Sequence, residues 1–159
     1  MLFRFNGEYK LHLRTCAADK VTGVLYPTKE GMTLSAQQFI DLIYYIPDIR
    51  AALDTEDADT SKRHIGKNTY VEVYPSRTGL EVRDYYFLKT KELHPTRRAI
   101  SLTTDEFTVL ENSVKDIVAK WPRIDTNLVP CFEKHDTVES FYDCRHCNPP
   151  YGFRDPAQP

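Results

Sequence analysis

The sequence predicts an α+β fold of two tandem modules, each an antiparallel β-sheet followed by one helix. Three observations carry this: an internal repeat, two helices opened by matching capping signals, and a switch to period-two alternation upstream of each helix. The repeat aligns YPTKEGMTLSAQQFIDLIYYIPDI at 26–49 without a gap on HPTRRAISLTTDEFTVLENSVKDI at 94–117. Pro27/Pro95, Thr28/Thr96, Leu34/Leu102, Phe39/Phe107, Leu42/Leu110, Asp48/Asp116 and Ile49/Ile117 are identical pairs. Lys29/Arg97, Met32/Ile100, Thr33/Ser101 and Ile46/Val114 keep their chemistry. A gapless match of this kind points to duplication.

Each copy starts its helix with a capping box, Ser35 with Gln38 and Thr103 with Glu106, in which the hydroxyl accepts a first-turn backbone N–H. Leu34 with Phe39 and Leu102 with Phe107 form the hydrophobic staples. The first helix carries Phe39, Leu42, Ile43 and Ile46 on one stripe, and the second Phe107, Leu110, Val114, Ile117 and Trp121. Pro47 is expected to bend or end the first, and Pro122 to stop the second.

Before the first helix Phe3, Phe5, Tyr9, Leu11 and Leu13 alternate with Arg4, Lys10, His12 and Arg14 around Asn6-Gly7, a pair suited to a type I′ hairpin. This predicts one apolar and one basic face. In the second copy Tyr70–Tyr74 and Leu80–Phe87 flank Pro75-Ser76-Arg77-Thr78-Gly79 as the matching pair, with Tyr70 and Phe87 read as core and Tyr74 and Tyr86 as exposed rings. The organisation is then a first copy at 1–53, an acidic linker at 54–62 containing Asp54, Glu56, Asp57 and Asp59, a second copy at 63–121, and a Pro/Cys-rich tail at 122–159. Pro122, Pro130, Pro149, Pro150, Pro156 and Pro159 predict little regular structure in the tail.

Hydrophobic residues at 41% and charged residues at 28% are globular values. The whole chain is near neutral, with 21 Lys+Arg against 23 Asp+Glu. From Thr60 to Thr103, however, Lys62, Arg63, Lys67, Arg77, Arg83, Lys89, Lys91, Arg97 and Arg98 face only Glu72, Glu81, Asp84 and Glu92, a local excess of five positive charges. Cations interleaved with exposed rings are what single-stranded nucleic acid needs, because cations track the backbone while bases stack on the rings. An ordinary solvated sheet face is the alternative reading of the same pattern.

In HIGKNTYVEVYPSRTGLEVRDYYFLKTKELHPTRRAISLTTDEFTVLENSVKDI, the IGK at Ile65–Lys67, VRDYY at Val82–Tyr86, PTRRAISL at Pro95–Leu102 and the aromatic Phe107 in the first helical turn resemble the C-terminal domain of the transcriptional coactivator positive cofactor 4 family. The resemblance covers Arg63 to Trp121, and reaches the first copy only through the repeat. It implies about four antiparallel strands and one helix per module, dimerisation through the helix, and a grip on single-stranded DNA. Matched by position, it implies Lys67, Arg77, Arg83, Arg97 and Arg98 as phosphate contacts. Tyr86 stands where the family carries tryptophan. Tyr74, Lys89 and Lys91 join these on the second copy, and Arg4, Lys10 and Arg14 are what the first copy retains. That copy lacks IGK and has Cys16, Ala17 and Glu30 opposite Tyr85, Tyr86 and Arg98. Two copies in one chain imply an intramolecular pseudo-dimer.

In the tail Cys131, His135, Cys144 and Cys147 are spaced C-x3-H-x8-C-x2-C, with His146 to spare. Such spacing suits a tetrahedral zinc site, against the alternative of unliganded thiols in a loosely docked tail; no other cofactor is called for. With Cys16 alone, the cysteines do not read as a disulfide framework, which favours a reducing compartment. No Gly-rich phosphate loop or GxSxG is present, and His12, His64 and His94 read as surface groups, so no enzyme is expected. No stretch approaches the roughly 18 apolar residues of a membrane span. The expectation is an intracellular protein, nuclear or at the site of replication or transcription, that binds single-stranded DNA in transcription, replication or repair. RNA binding and a protein-interaction scaffold are the rivals. Transcription or replication proteins and further self-association are the expected partners beyond nucleic acid.

Overall fold

The computed structural model describes residues 1–55, 61–74, 79–90, 92–121, 124 and 129–148, with Phe5 and Ser61 described by backbone alone. It is α+β, with a three-stranded sheet in the order β1-β2-β3 and a four-stranded sheet in the order β4-β5-β6-β7, all neighbours antiparallel. The strands are β1 (Leu2–Phe5), β2 (Glu8–Ala18), β3 (Leu25–Leu34), β4 (Ser61–His64), β5 (Thr69–Tyr74), β6 (Gly79–Phe87) and β7 (Leu93–Thr103). Helix α1 (Ala36–Leu53) follows the first sheet and α2 (Thr104–Lys120) the second. The tail carries a 3₁₀ turn at Cys131–Lys134 and a short helix α3 (Val138–Asp143).

Both capping boxes form as the sequence requires, Ser35 with Gln38 and Thr103 with Glu106. The likeness of the halves extends to a strand irregularity that the sequence does not announce. The pairing of β2 with β3 slips between Arg14 and Cys16, and that of β6 with β7 slips between Arg83 and Tyr85. In both, the arginine at the slip donates to a carbonyl on the next strand, Arg14 to Lys29 at 2.7 Å and Arg83 to Thr96. An inserted residue leaves strand carbonyls without ladder partners, and a guanidinium can supply the missing donors.

Several expectations change. The first sheet has three strands, β1 to β3, rather than about four. The Asn6–Gly7 turn has φ +49° and +85° and so pairs Phe5 with Glu8 and Phe3 with Lys10. Opposed residues share a face, so Phe3 lies with Lys10 and His12, its ring 3.8 Å from that of His12, whereas Arg4 lies with Tyr9 and Leu2 with Leu11. The apolar and basic sets are thus mixed across the hairpin.

Pro47 does not end α1, which runs on to Leu53 with Pro47 exposed on its surface. α2 ends at Lys120, one residue beyond which Trp121 caps it. β4 begins at Ser61, inside the span read as linker. The tail is not structureless: Thr137 and Ser140 make a third capping box and start α3. The side chain of Phe5, the linker acids Glu56, Asp57 and Asp59, Pro75 to Thr78 and the prolines at 122, 149, 150, 156 and 159 lie outside the described residues.

One hydrophobic cluster draws on both halves. Leu11, Met32, Leu34, Phe39, Leu42 and Ile49 from the first pack with Ile65, Val71, Val73, Val82, Phe107 and Trp121 from the second. Phe39 and Trp121 stack with centroids 5.5 Å apart and planes 8° from parallel. α1 makes the join: it packs on β2 and β3 of its own sheet and also on β5 of the other, and β3 meets β7. Arg50 of α1 reaches α2, with Nη2 2.6 Å from Glu111 Oε2 and 2.9 Å from Thr108 Oγ1 and its guanidinium 5.1 Å over the Phe107 ring. Neither half is large enough to bury its apolar face alone, and a shared core is how small modules meet that limit.

His64, read from sequence as a surface group, is half-buried against Tyr70, and its Nε2 is buried with no hydrogen-bond partner among the described residues. Burial first, and the neighbouring His146 second, lower its pKa from the usual 6.5 to about 4. The unfolded chain therefore takes up a proton on this histidine between about pH 6.5 and 4 that the folded chain refuses, and its contribution to stability is present above that window and lost as pH falls through it. A urea-midpoint series across pH 7 to 4 checks this: His64→Phe should flatten the wild-type decline in that window.

Candidate functional site

Two constellations stand out, one in the tail and one on the outward face of the four-stranded sheet. In the tail, one donor atom from each of Cys131, His135, Cys144 and Cys147 lies within 4.8 Å of every other. Cys131 Sγ is 3.6 Å from Cys144 Sγ and 4.0 Å from His135 Nε2. Metal bonds of about 2.0–2.3 Å in tetrahedral geometry put neighbouring ligand atoms roughly 3.3–3.8 Å apart, so the donors are near closing distance around one ion. The 3₁₀ turn brings Cys131 and His135 together, and α3 returns the chain to the C-x2-C turn.

The thiols are tuned unequally. Burial raises the pKa of Cys131, helped by Cys144, and raises Cys147 further still. Cys144 also feels burial, but the backbone N–H groups of Cys147 and His146 outweigh it and lower its pKa. Backbone donors aimed at the first sulfur of a C-x2-C turn stabilise a thiolate, the form that binds metal. The cluster is a Cys3His set that could hold a metal ion.

This unit is docked. Phe132 stacks on Tyr45 of α1 at 5.9 Å, and Tyr44 Oη donates to Glu133 at 2.6 Å. Asp41 of α1, 1% exposed, accepts from Gln37 Nε2 at 2.8 Å and from the Cys131 N–H at 3.2 Å, and pairs with His146 Nε2 at 2.9 Å. The sequence left His146 as a spare and gave Asp41 no role. Helical spacing sets Asp41 on the face opposite the Phe39, Leu42, Ile43 and Ile46 stripe, so no sequence signal marked it for burial; the tail meets it there.

On the four-stranded sheet, burial alternates strictly along β5: Thr69, Val71 and Val73 face the core, and Tyr70, Glu72 and Tyr74 face out. Tyr70, read from sequence as core, is therefore outward, because one strand cannot bury both parities. Lys62 Nζ lies 3.6 Å from the Tyr85 ring centroid and 5.1 Å from that of Tyr70, and the two rings meet edge to face at 5.2 Å. Tyr85 Oη donates to Glu72 at 2.9 Å, and burial, then Glu72, raises its pKa. Sequence patterning gives Lys62 only as a charge and Tyr85 only as an alignment position; the pairing of β4 with β5 and of β5 with β6 brings them together.

The expected contacts are scattered over this surface. Arg83 is held by Glu81 through two bonds, 2.6 and 2.8 Å, besides the Thr96 carbonyl. Arg98 is exposed, 3.4 Å from Asp84. Arg97, Lys67 and Lys89 are exposed. Tyr74 is half-buried, its pKa pushed up to about 12 by burial and then by Glu72. Tyr86 is half-buried beside His94, rings 5.8 Å apart. Arg77 and Lys91 lie outside the described residues. On the first sheet Arg4 sits 6.0 Å over the Tyr9 ring, on the face opposite to half-buried Lys10 and to Arg14.

No helix among the described residues is long and apolar enough to cross a membrane. No family model, curated protein or solved structure matches the chain.

Metal content gives a direct check on the cluster. Chain prepared without chelator and incubated with zinc should hold one equivalent by elemental analysis, and Cys131→Ser or Cys144→Ser should hold less than a tenth of one. Affinity should fall as pH drops from 7.5 to 5.5, because protons compete for thiolate and imidazole.

Proposed function

We propose that this chain binds single-stranded nucleic acid without catalysis, on the outward face and rim of the four-stranded sheet, as an intramolecular pseudo-dimer stapled by one zinc ion. The observation that carries the reading is Lys62 lying against the rings of Tyr85 and Tyr70 on a solvent-facing sheet. A strand can take that ammonium as a phosphate contact and stack a base on the uncovered ring, each base contributing about 1–3 kcal/mol. Arg97, Arg98, Lys89 and Lys67 supply further cations around it. The resemblance at Ile65–Lys67, Val82–Tyr86 and Pro95–Leu102 supports the same reading and favours DNA in transcription, replication or repair.

The pseudo-dimer reading rests on the matched strand slips at Arg14 and Arg83, the β3–β7 contact and the Arg50 link between helices. Zinc is the proposed ion because a Cys3His set matches its preference for sulfur and imidazole. A second reading has one observation in its favour. Glu81 engages Arg83 and Glu72 engages Tyr85, as expected of a sheet that has traded its groove for internal pairs and become a protein-interaction scaffold.

A salt-titrated comparison of single-stranded DNA, duplex DNA and RNA separates the readings. The binder holds single strands at low salt, whereas a scaffold holds none of the three. Arg97→Ala should lower the slope of log K against log salt by about 0.7, one phosphate contact. Tyr85→Ala should cost about 1–3 kcal/mol with the slope nearly unchanged, since stacking releases no counterions. Glu81→Gln should strengthen binding and steepen the slope, because it frees Arg83. Sedimentation should give a monomer mass independent of concentration; an obligate dimer would mean that pairing occurs between chains.

A further inference from the structure

The loop between β4 and β5 holds three consecutive residues in the left-handed region: Gly66, Lys67 and Asn68, with φ +88°, +54° and +59°. Glycine accepts this freely, but a side chain does not, and a loop so strained persists only where its surroundings hold it. Most of the holding comes from neighbouring strands and α1. The Ile65 N–H donates to the Thr69 carbonyl, the Thr69 N–H to the Gly66 carbonyl and the Tyr85 N–H to the Asn68 carbonyl, at 2.8–2.9 Å. Gln38 Nε2 reaches the Gly66 carbonyl at 3.3 Å and Thr69 Oγ1 at 2.9 Å.

The Lys67 peptide is held from elsewhere. Its N–H donates to the backbone carbonyl of His146 at 2.6 Å. The His146 ring packs onto Gly66 so closely that a Cβ there would stand 2.0 Å from His146 Nε2, and the same nitrogen is 2.9 Å from Asp41. His146 is flanked at two residues' and one residue's distance by Cys144 and Cys147, so its placement depends on the turn that those thiols close. The Lys67 side chain, by contrast, is exposed at a cleft of about 680 Å³ that Arg4, Tyr9, Gln37 and His146 also line, with Glu8 as its one carboxylate among the described lining residues.

We infer that His146 is a positioning residue, held between two metal ligands, that fixes the Lys67 loop, so that metal loading sets Lys67 opposite Arg4 as a phosphate-binding wall of this cleft. The phosphate part rests on the single-strand reading above; the clasp between metal and loop does not. A loaded metal site closes the C-x2-C turn, which holds the His146 carbonyl and ring against Lys67 and Gly66. An empty one releases the turn, and the strained loop relaxes.

The test follows two readouts on the full chain, the exchange rate of the Lys67 amide by NMR and the salt slope for an oligothymidylate. Chelation should speed Lys67 exchange at least tenfold and lower the slope by about 0.7, the value of one phosphate contact, and zinc should restore both. His146→Ala should keep one equivalent of zinc yet speed Lys67 exchange, and should lose the same slope increment as Lys67→Ala, with the double variant losing no more. If the Lys67 amide stays equally protected with and without zinc and in His146→Ala, the inference is wrong, whatever the nucleic-acid result. If exchange responds as expected while no strand binds at low salt, the clasp stands and the single-strand reading falls. Should His146→Ala fail to fold, the reversible chelation of the wild type decides alone.

Discussion

A carboxylate buried at the junction of the two halves organises the rest of the molecule. Asp41 is 1% exposed, and an ionised carboxylate removed from water is tolerated only when its oxygens are met by donors. Here the partners come from three separate stretches of chain: Gln37 one turn back on α1, the Cys131 N–H, and the His146 ring from the C-x2-C turn. Two of the three belong to the tail, which has too few apolar residues to pack on its own account. The tail is attached by polar contacts at this buried point together with the stacking of Phe132 on Tyr45, and its own compactness falls to the Cys3His set. Tail, α1 and the Lys67 loop form one mechanical unit because they share this carboxylate, directly or through His146.

The sequence repeat goes with a symmetry of the backbone and an asymmetry of everything else. Both halves repeat a hairpin with a slip after an arginine, a long strand, a capping box and a helix. Their helices nevertheless fare differently. α1 buries Gln38 to Leu42 and Ile49, because it lies between the two sheets and under the tail, whereas α2 buries only Phe107 completely. The capping Gln38 does double duty for this reason, closing its own helix and reaching across to Gly66 and Thr69. Its counterpart Glu106 is exposed and serves only the cap. Matching positions of the repeat thus make a tie between halves at Gln38 and a local cap at Glu106.

Charge on the sheet face is set by pairing rather than by count. The local excess of cations predicts an open basic surface, yet Glu81 grips Arg83 and Asp84 faces Arg98. Such pairs on a half-exposed surface contribute little to stability, and under the proposed single-strand reading they would compete with a polyanion for the two arginines. Lys62 differs in kind, because its ammonium lies against the rings of Tyr85 and Tyr70 and makes no salt bridge among the described residues.

Much of the architecture was legible in the sequence, because duplication, capping and alternation are local properties. Ser35/Gln38 and Thr103/Glu106 specify their helices within four residues, and the pattern from Thr69 to Tyr74 decides which side chains of β5 face out. The Cys3His cluster was legible for the same reason: a 3₁₀ turn and a short helix bring C-x3-H and C-x2-C together locally. Tertiary structure alone decided the partners. Packing across sheets buried Asp41, stripped His64 Nε2 of any partner among the described residues, and seated His146 on Gly66. Such contacts join residues 80 or more positions apart in sequence, and which distant groups meet depends on how two sheets and a tail share one core, a quantity no short window of sequence contains.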